Sequence, residues 1–169
     1  MKNYHKDKPD DSSSPVEFDP LLTVCKLLNE QGADYIIVGA FACILHGLIR
    51  TTDDVDILIS PETENFRKVI DALSKLPDRA AAELSIQDLQ ENVVVKIADA
   101  VEVDVSKTAW SVTYNDAIRN IEEVLIEGVK IPYLSLPDLI KSKDTPREKD
   151  QLDLISLREL LKRKNVKRY

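Results

Sequence analysis

The chain has 169 residues, 43% hydrophobic and 31% charged, with a formal net charge of −7 at pH 7. That length can close one hydrophobic core, and the acidic balance argues against a protein that coats nucleic acid with its whole surface. No apolar run approaches the ~20 residues of a membrane-spanning helix; the longest, Tyr35 to Leu45, contains Gly39 and is followed by His46 and Arg50.

Residues 1–16 are polar, with Ser12, Ser13 and Ser14 running into Pro15, and are expected to form a disordered arm ahead of one domain over 17–169. They contain no apolar h-region, so a cytoplasmic location is expected rather than secretion. A helix is expected from Asp19-Pro20, with Asp19 as N-cap and Pro20 in the first helical position. Leu21, Val24, Cys25, Leu27 and Leu28 form its stripe and Gly32 ends it. Cys25 and Cys43 sit in apolar helical patterns without CxxC spacing, which predicts buried free thiols.

Tyr35 to Val38 reads as a buried strand ended by Gly39, and Phe41 to His46 as a short helix closed by Gly47. Val55, Ile57 and Ile59 alternate with Asp54, Asp56 and Leu58, a strand with both aspartates on one face. Pro61 opens a helix over 62–76 with Phe66, Val69, Ile70 and Leu73 inward. Residues 83–89 read as a strand or an irregular edge. Val93 to Ile97 and Val101 to Val105 form a hairpin pattern, followed by a short helix over 114–120 and a second hairpin around Gly128. Pro137 and Pro146 each start a helix, the second with Leu152, Ile155, Leu157, Leu160 and Leu161 as its inner face. Helices alternating with strands, then hairpins, predict an α/β (α+β) fold with a mixed central sheet, flanking helices and a helical C-terminal segment.

Carboxylates at i and i+2 on a strand point the same way, close enough to share hard cations. Taken alone, Asp54 and Asp56 fit an exposed strand edge at least as well. Val101, Val103 and Val105 alternate with Glu102 and Asp104, a second acidic pair on one strand face. If the two strands are neighbours, three acids converge and need a cation to offset their repulsion. Gly39, between a buried strand and a helix, lets backbone N–H groups approach a phosphate; a plain tight turn explains it equally well. His46 reads as a satisfied core or cap histidine and Trp110 as core, with base stacking as the lesser reading. The five Lys or Arg among the last eight residues read as a solvated helix end.

VGAFACILHGLIRTTDDVDILIS resembles the signature of the nucleotidyltransferase superfamily with the polymerase-beta-like core: a strand-ending glycine, a short helix, then an Asp-hydrophobic-Asp strand about fifteen residues on. His46, Gly47, Arg50 and Thr52 look like the branch of small stand-alone and toxin-type nucleotidyltransferases. The tail with Lys143, Arg147, Lys149, Asp150 and Asp153 is similar to the C-terminal segment of that branch. Ala40 departs from the pattern, which has glycine or serine there.

The resemblance implies transfer of a nucleoside monophosphate from an NTP to an acceptor hydroxyl, with release of pyrophosphate. The acceptor is open: an RNA end, a protein or a small molecule. Asp54, Asp56 and Asp104 would hold two Mg²⁺ ions (Mn²⁺ as a substitute), with Asp104 also the general base and Glu102 its replacement if the register differs by two. Gly39 and Ala40 would cradle the phosphates through their backbone, and Arg50 and Lys143 would add positive charge or serve as ordinary salt bridges. The alternative is a weak or inactive nucleotide-binding or interaction protein, one half of a toxin–antitoxin pair with a partner protein.

Overall fold

A computed structural model describes residues 18–168; the arm expected over 1–16 lies outside the described residues. In chain order the elements are α1 (Asp19–Glu30), β1 (Tyr35–Val38), α2 (Gly39–Leu45), β2 (Val55–Ile59), α3 (Thr63–Leu73), a 3-10 turn (Ala80–Glu83) and α4 (Ile86–Glu91). They continue with β3 (Val94–Ala98), β4 (Glu102–Ser106), β5 (Thr108–Ala109), β6 (Val112–Thr113), α5 (Tyr114–Ala117), β7 (Glu122–Ile126), β8 (Val129–Tyr133), α6 (Leu136–Lys143) and α7 (Glu148–Val166).

Six strands form one sheet in the order β3-β4-β2-β1-β8-β7, and β5 and β6 form a separate short hairpin. The large sheet is mixed as expected. β1 runs antiparallel to β2 and parallel to β8, while β2 runs parallel to β4. Ile36, Ile37, Ile57, Leu58 and Ile59 at its centre are fully buried, with Leu21 and Leu28 of α1, Phe41 of α2 and Leu73 of α3. Each such side chain contributes about 1.5–3 kcal/mol on leaving water. α1 packs on α3, β2 and β8, and α2 packs on β1, β2 and α6. His46 ends α2 in the core, where its Nε2–H donates to the Leu134 carbonyl at 2.7 Å and its ring meets Tyr133 edge-on. Cys25 and Cys43 are buried and free.

Three expectations about these elements need correction. Asp19 is the first helical residue of α1 and Phe18 the cap, so no side chain caps that end. Residues 83–89 carry no strand. Ser85 opens α4 through a capping box: its backbone N–H donates to Asp88 at 2.7 Å and its hydroxyl accepts the Asp88 N–H at 3.3 Å. α5 ends at Ala117, short of 120, and is capped by Thr113, itself part of the unexpected β5–β6 hairpin.

The inner face of α7 is also different. Leu152 and Ile155 are each 63% exposed, whereas Asp150, Asp153, Leu154 and Leu157 are buried; Leu160 and Leu161 are half-buried. Two buried aspartates with cationic partners decide which face turns inward, and the apolar spacing does not.

Candidate active site

The register between β2 and β4 builds the site. Val55 lies opposite Val103, Asp56 opposite Asp104 and Ile57 opposite Val105. The two valines and Ile57 are fully buried, and Val105 nearly so, so period-2 alternation sends Asp56 and Asp104 to the other face as a neighbouring pair. Asp54 precedes β2 on the same face and meets Glu102 of β4: hydrogen bonding to Asp54, then the Asp54 charge, raises the Glu102 carboxyl above its ordinary value. Asp104 is thus the partner of Asp56, and Glu102 that of Asp54.

Asp56 is half-buried, and its carboxyl is pushed from 3.8 up to about 6. Burial is the larger cause and the charge of Asp104 the next, with Lys143 pulling the other way. On the far side of β4, Lys96 of β3 pairs with Asp104, Nζ to Oδ2 at 3.6 Å.

Gly39 stands directly above this pair. Val38 lies opposite Asp56, and the chain turns at Gly39 with φ +65. A Cβ built there would lie 2.8 Å from Asp56 Cγ and nearer still to Oδ2. The glycine therefore supplies both a left-handed turn and the volume that the Asp56 carboxylate occupies. Ala40 follows, buried in the first turn of α2, with no hydroxyl to offer.

Arg50 and Lys143 reach the same cleft but are already paired. Arg50 Nη1 donates to Asp153 Oδ2. Lys143 Nζ lies 2.9 Å from Asp153 and 3.3 Å from Asp150. Asp150 also accepts from the Thr145 hydroxyl at 2.6 Å and Arg147 Nε at 2.8 Å. Burial pushes the Asp150 carboxyl up, but the Thr145 hydroxyl and the charges of Lys143 and Arg147 outweigh it and hold it below the ordinary value. Three cations, Arg50, Lys143 and Arg147, face two carboxylates, Asp150 and Asp153, which leaves this wall with surplus positive charge.

Gly39, Ala40, Arg50, Asp54, Asp56, Asp104 and Lys143 all line one cleft of about 480 Å³, within the size range of small-molecule sites. Lys96, which sequence reasoning did not place there, lines it too, as does Trp110, for which base stacking was the lesser reading. The hairpin register was the available signal for Lys96, since it sets that residue opposite Asp104. Trp110 is not core: it is 58% exposed on the β5–β6 turn.

A family model described as "Nucleotidyltransferase of unknown function (DUF6036)" matches residues 20–168. The chain belongs to that family. Among solved structures it is similar to the lincosamide antibiotic adenylyltransferase LnuA in lincomycin-bound form, at TM-score 0.57 and 16% identity over 87% of this chain and 99% of that one. TM1012 of Thermotoga maritima is similar at TM-score 0.54 and 15% identity, over 95% of this chain and 100% of that one. An antigenic nucleotidyltransferase-like protein from Paracoccidioides brasiliensis is similar at TM-score 0.50 and 20% identity, over 85% and 78%. At these identities the likeness is one of fold. No curated protein matches the chain.

The donor set suits a hard divalent cation: carboxylates from two adjacent strands, one of them raised by burial and then by a like charge, both of which a cation would offset. Among the described residues, no three His, Cys, Asp or Glu side chains form a ready metal site. Mg²⁺ is commonly held by one or two carboxylates together with substrate phosphates, rather than by an all-protein cage. Among the described residues no helix is long and apolar enough to cross a membrane.

Proposed function

We propose that the protein is a Mg²⁺-dependent nucleotidyltransferase that moves a nucleoside monophosphate from an NTP to an acceptor hydroxyl and releases pyrophosphate. The observation that carries this reading is the lateral pairing of Asp56 with Asp104 beneath a glycine that leaves room for the Asp56 carboxylate. Asp54 and Asp56 would hold the cation and through it the triphosphate, with Asp104 sharing the second ion. The bound cation supplies neutralisation of the phosphate charge that builds up during an in-line displacement.

Asp104 accepts the proton of the acceptor hydroxyl, with Lys96 beside it to orient the carboxylate. The acceptor oxygen bonds to the α-phosphorus as the bond from that phosphorus to the bridging oxygen breaks, and pyrophosphate leaves. The backbone of Gly39 and Ala40 faces the phosphates, a contact that needs no side-chain hydroxyl. The positive wall of Arg50, Lys143 and Arg147 stabilises the departing pyrophosphate.

The test is incubation with α-labelled NTPs and Mg²⁺ against three acceptor pools: total RNA, total protein and small-molecule hydroxyl compounds. The small-molecule arm is warranted by the antibiotic in the LnuA structure. Label should enter one pool, need divalent cation, and vanish in Asp54→Asn and Asp104→Asn. Absence of both transfer and thermal stabilisation by any Mg²⁺–NTP would refute the proposal.

A further inference from the structure

After β4 the chain folds back at once as the β5–β6 hairpin, with Thr108 opposite Thr113 and Ala109 opposite Val112. Trp110 and Ser111 are left as its two-residue connection. Such connections use glycine, asparagine or aspartate where φ is positive, because a bulky L-residue meets its own backbone there. This one has a tryptophan at φ 56.

The ring gains little burial in return. It is 58% exposed, and the core closes without it. Neither turn chemistry nor packing accounts for the residue. Strained positions of this kind cluster where a side chain must be presented to a ligand.

The location says which ligand. Trp110 lines the cleft that also holds Gly39, Asp54, Asp56 and Asp104. Its hairpin packs on β2, the strand of Asp56, and on α6, the helix of Lys143. The ring is therefore carried by the elements that would hold the donor triphosphate. Indole offers a flat face and every nucleobase has a matching one, so stacking binds any base with little discrimination.

We propose that Trp110 is the stacking platform for the base of the NTP bound in this cleft, a reading that rests on the nucleotidyltransferase proposal above. Specificity among bases then comes from polar groups at the ring edge; Ser106 and Thr108 line the same cleft.

Trp110 is the only tryptophan in the chain, so tryptophan emission, excited where tyrosine does not absorb, reports on this position alone. The wild-type protein is titrated with Mg²⁺ plus ATP, GTP, CTP or UTP, and with Mg²⁺–tripolyphosphate, which lacks a base. Thermal shift is recorded in parallel. NTPs should both stabilise the protein and quench the emission, while tripolyphosphate stabilises without equivalent quenching.

Stabilisation by NTPs with emission no different from that in tripolyphosphate overturns the platform and leaves the transferase reading standing. No response in either channel overturns both. Trp110→Gly removes the ring and relieves the positive φ, so its melting temperature should hold or rise while NTP affinity falls roughly tenfold. Its affinity for tripolyphosphate should be unchanged, and Trp110→Phe should recover most of the NTP affinity. NTP binding by Trp110→Gly at the wild-type level, or an equal loss for NTP and tripolyphosphate, overturns the assignment.

Discussion

Asp56→Asn should make the metal-free protein more stable while removing its proposed activity. The Asp56 carboxyl stands at about 6 in the fold against an ordinary 3.8, because burial and Asp104 oppose its charge. Ionising it in place costs a ceiling of about 3 kcal/mol, which water in the open cleft lowers to about 1–2 kcal/mol. The folded chain binds this proton more tightly than the unfolded chain. The stabilisation from protonation is therefore complete below about pH 4 and is lost as pH rises through about 6.

Asparagine has nearly the same shape and no charge, so the variant escapes that loss. In urea titrations with chelator present, variant and wild type should coincide near about pH 4 and diverge between about 4 and 6. The variant should lead by about 1–2 kcal/mol at about pH 8, or about 2–8 °C in melting temperature. Mg²⁺ with NTP should then stabilise the wild type and leave the variant unmoved. A variant equal to or weaker than wild type at the alkaline end, or a gap that does not change with pH, would show that Asp56 is not strained by its neighbours.

Gly39→Ala should lose more stability than Gly47→Ala. Both have positive φ, a cost of about 1–2 kcal/mol for an L-residue, but only Gly39 would set a methyl against the Asp56 carboxylate, whereas Gly47 has nothing within 4 Å. Equal denaturant midpoints would refute the packing account. Asp153→Ala leaves Lys143 and Arg50 without their shared partner in a site where Lys143 is 8% exposed. It should cost about 3–5 kcal/mol by calorimetry or denaturation. The depressed Asp150 carboxyl adds an acid limb: its contribution is present at neutral pH and lost as pH falls below the ordinary carboxylate range, detectable as a falling melting temperature that Asp150→Asn flattens. Leu157→Ala should cost about 2–5 kcal/mol, while Leu152→Ser and Ile155→Ser should stay within about 0.5 kcal/mol; losses at Leu152 and Ile155 as large as that at Leu157 would restore the apolar-spacing account of α7.

Local signals carried over well from chain to structure. The breaker at Gly39 and the alternation around Asp54, Asp56 and Asp104 depend on neighbours within a few residues, and each was legible. The adjacency of β2 and β4 was not, because parallel pairing joins segments separated by α3 and β3 and leaves no local mark. That adjacency is what turns two ordinary acidic strands into one site. α7 misled for a different reason. Its leucines have helical spacing, yet Asp150 and Asp153 take the inner face because Lys143, Arg147, Thr145 and Arg50 satisfy them there. A buried ionic network is invisible to a hydrophobic pattern. At Ser85 and Asp88 the signal was present as a capping box, and the sparse apolar residues around it obscured the helix. Trp110 was read by residue type alone, whereas its position in a two-residue turn decided its exposure.

Arg50 and Asp153 are 103 residues apart in the chain. At a synthesis rate of roughly 5–20 residues per second, roughly 5–20 s pass between emergence of the loop and emergence of the aspartate that fixes it. During that interval β1, α2 and β2 can pair and bring Gly39 over Asp56, while Arg50 lacks its counter-charge and Lys143 and Arg147 are still to come. Assembly of the cleft therefore finishes with the last helix described, and a nascent chain on the ribosome holds the acidic strand of the site before it holds the organised positive wall.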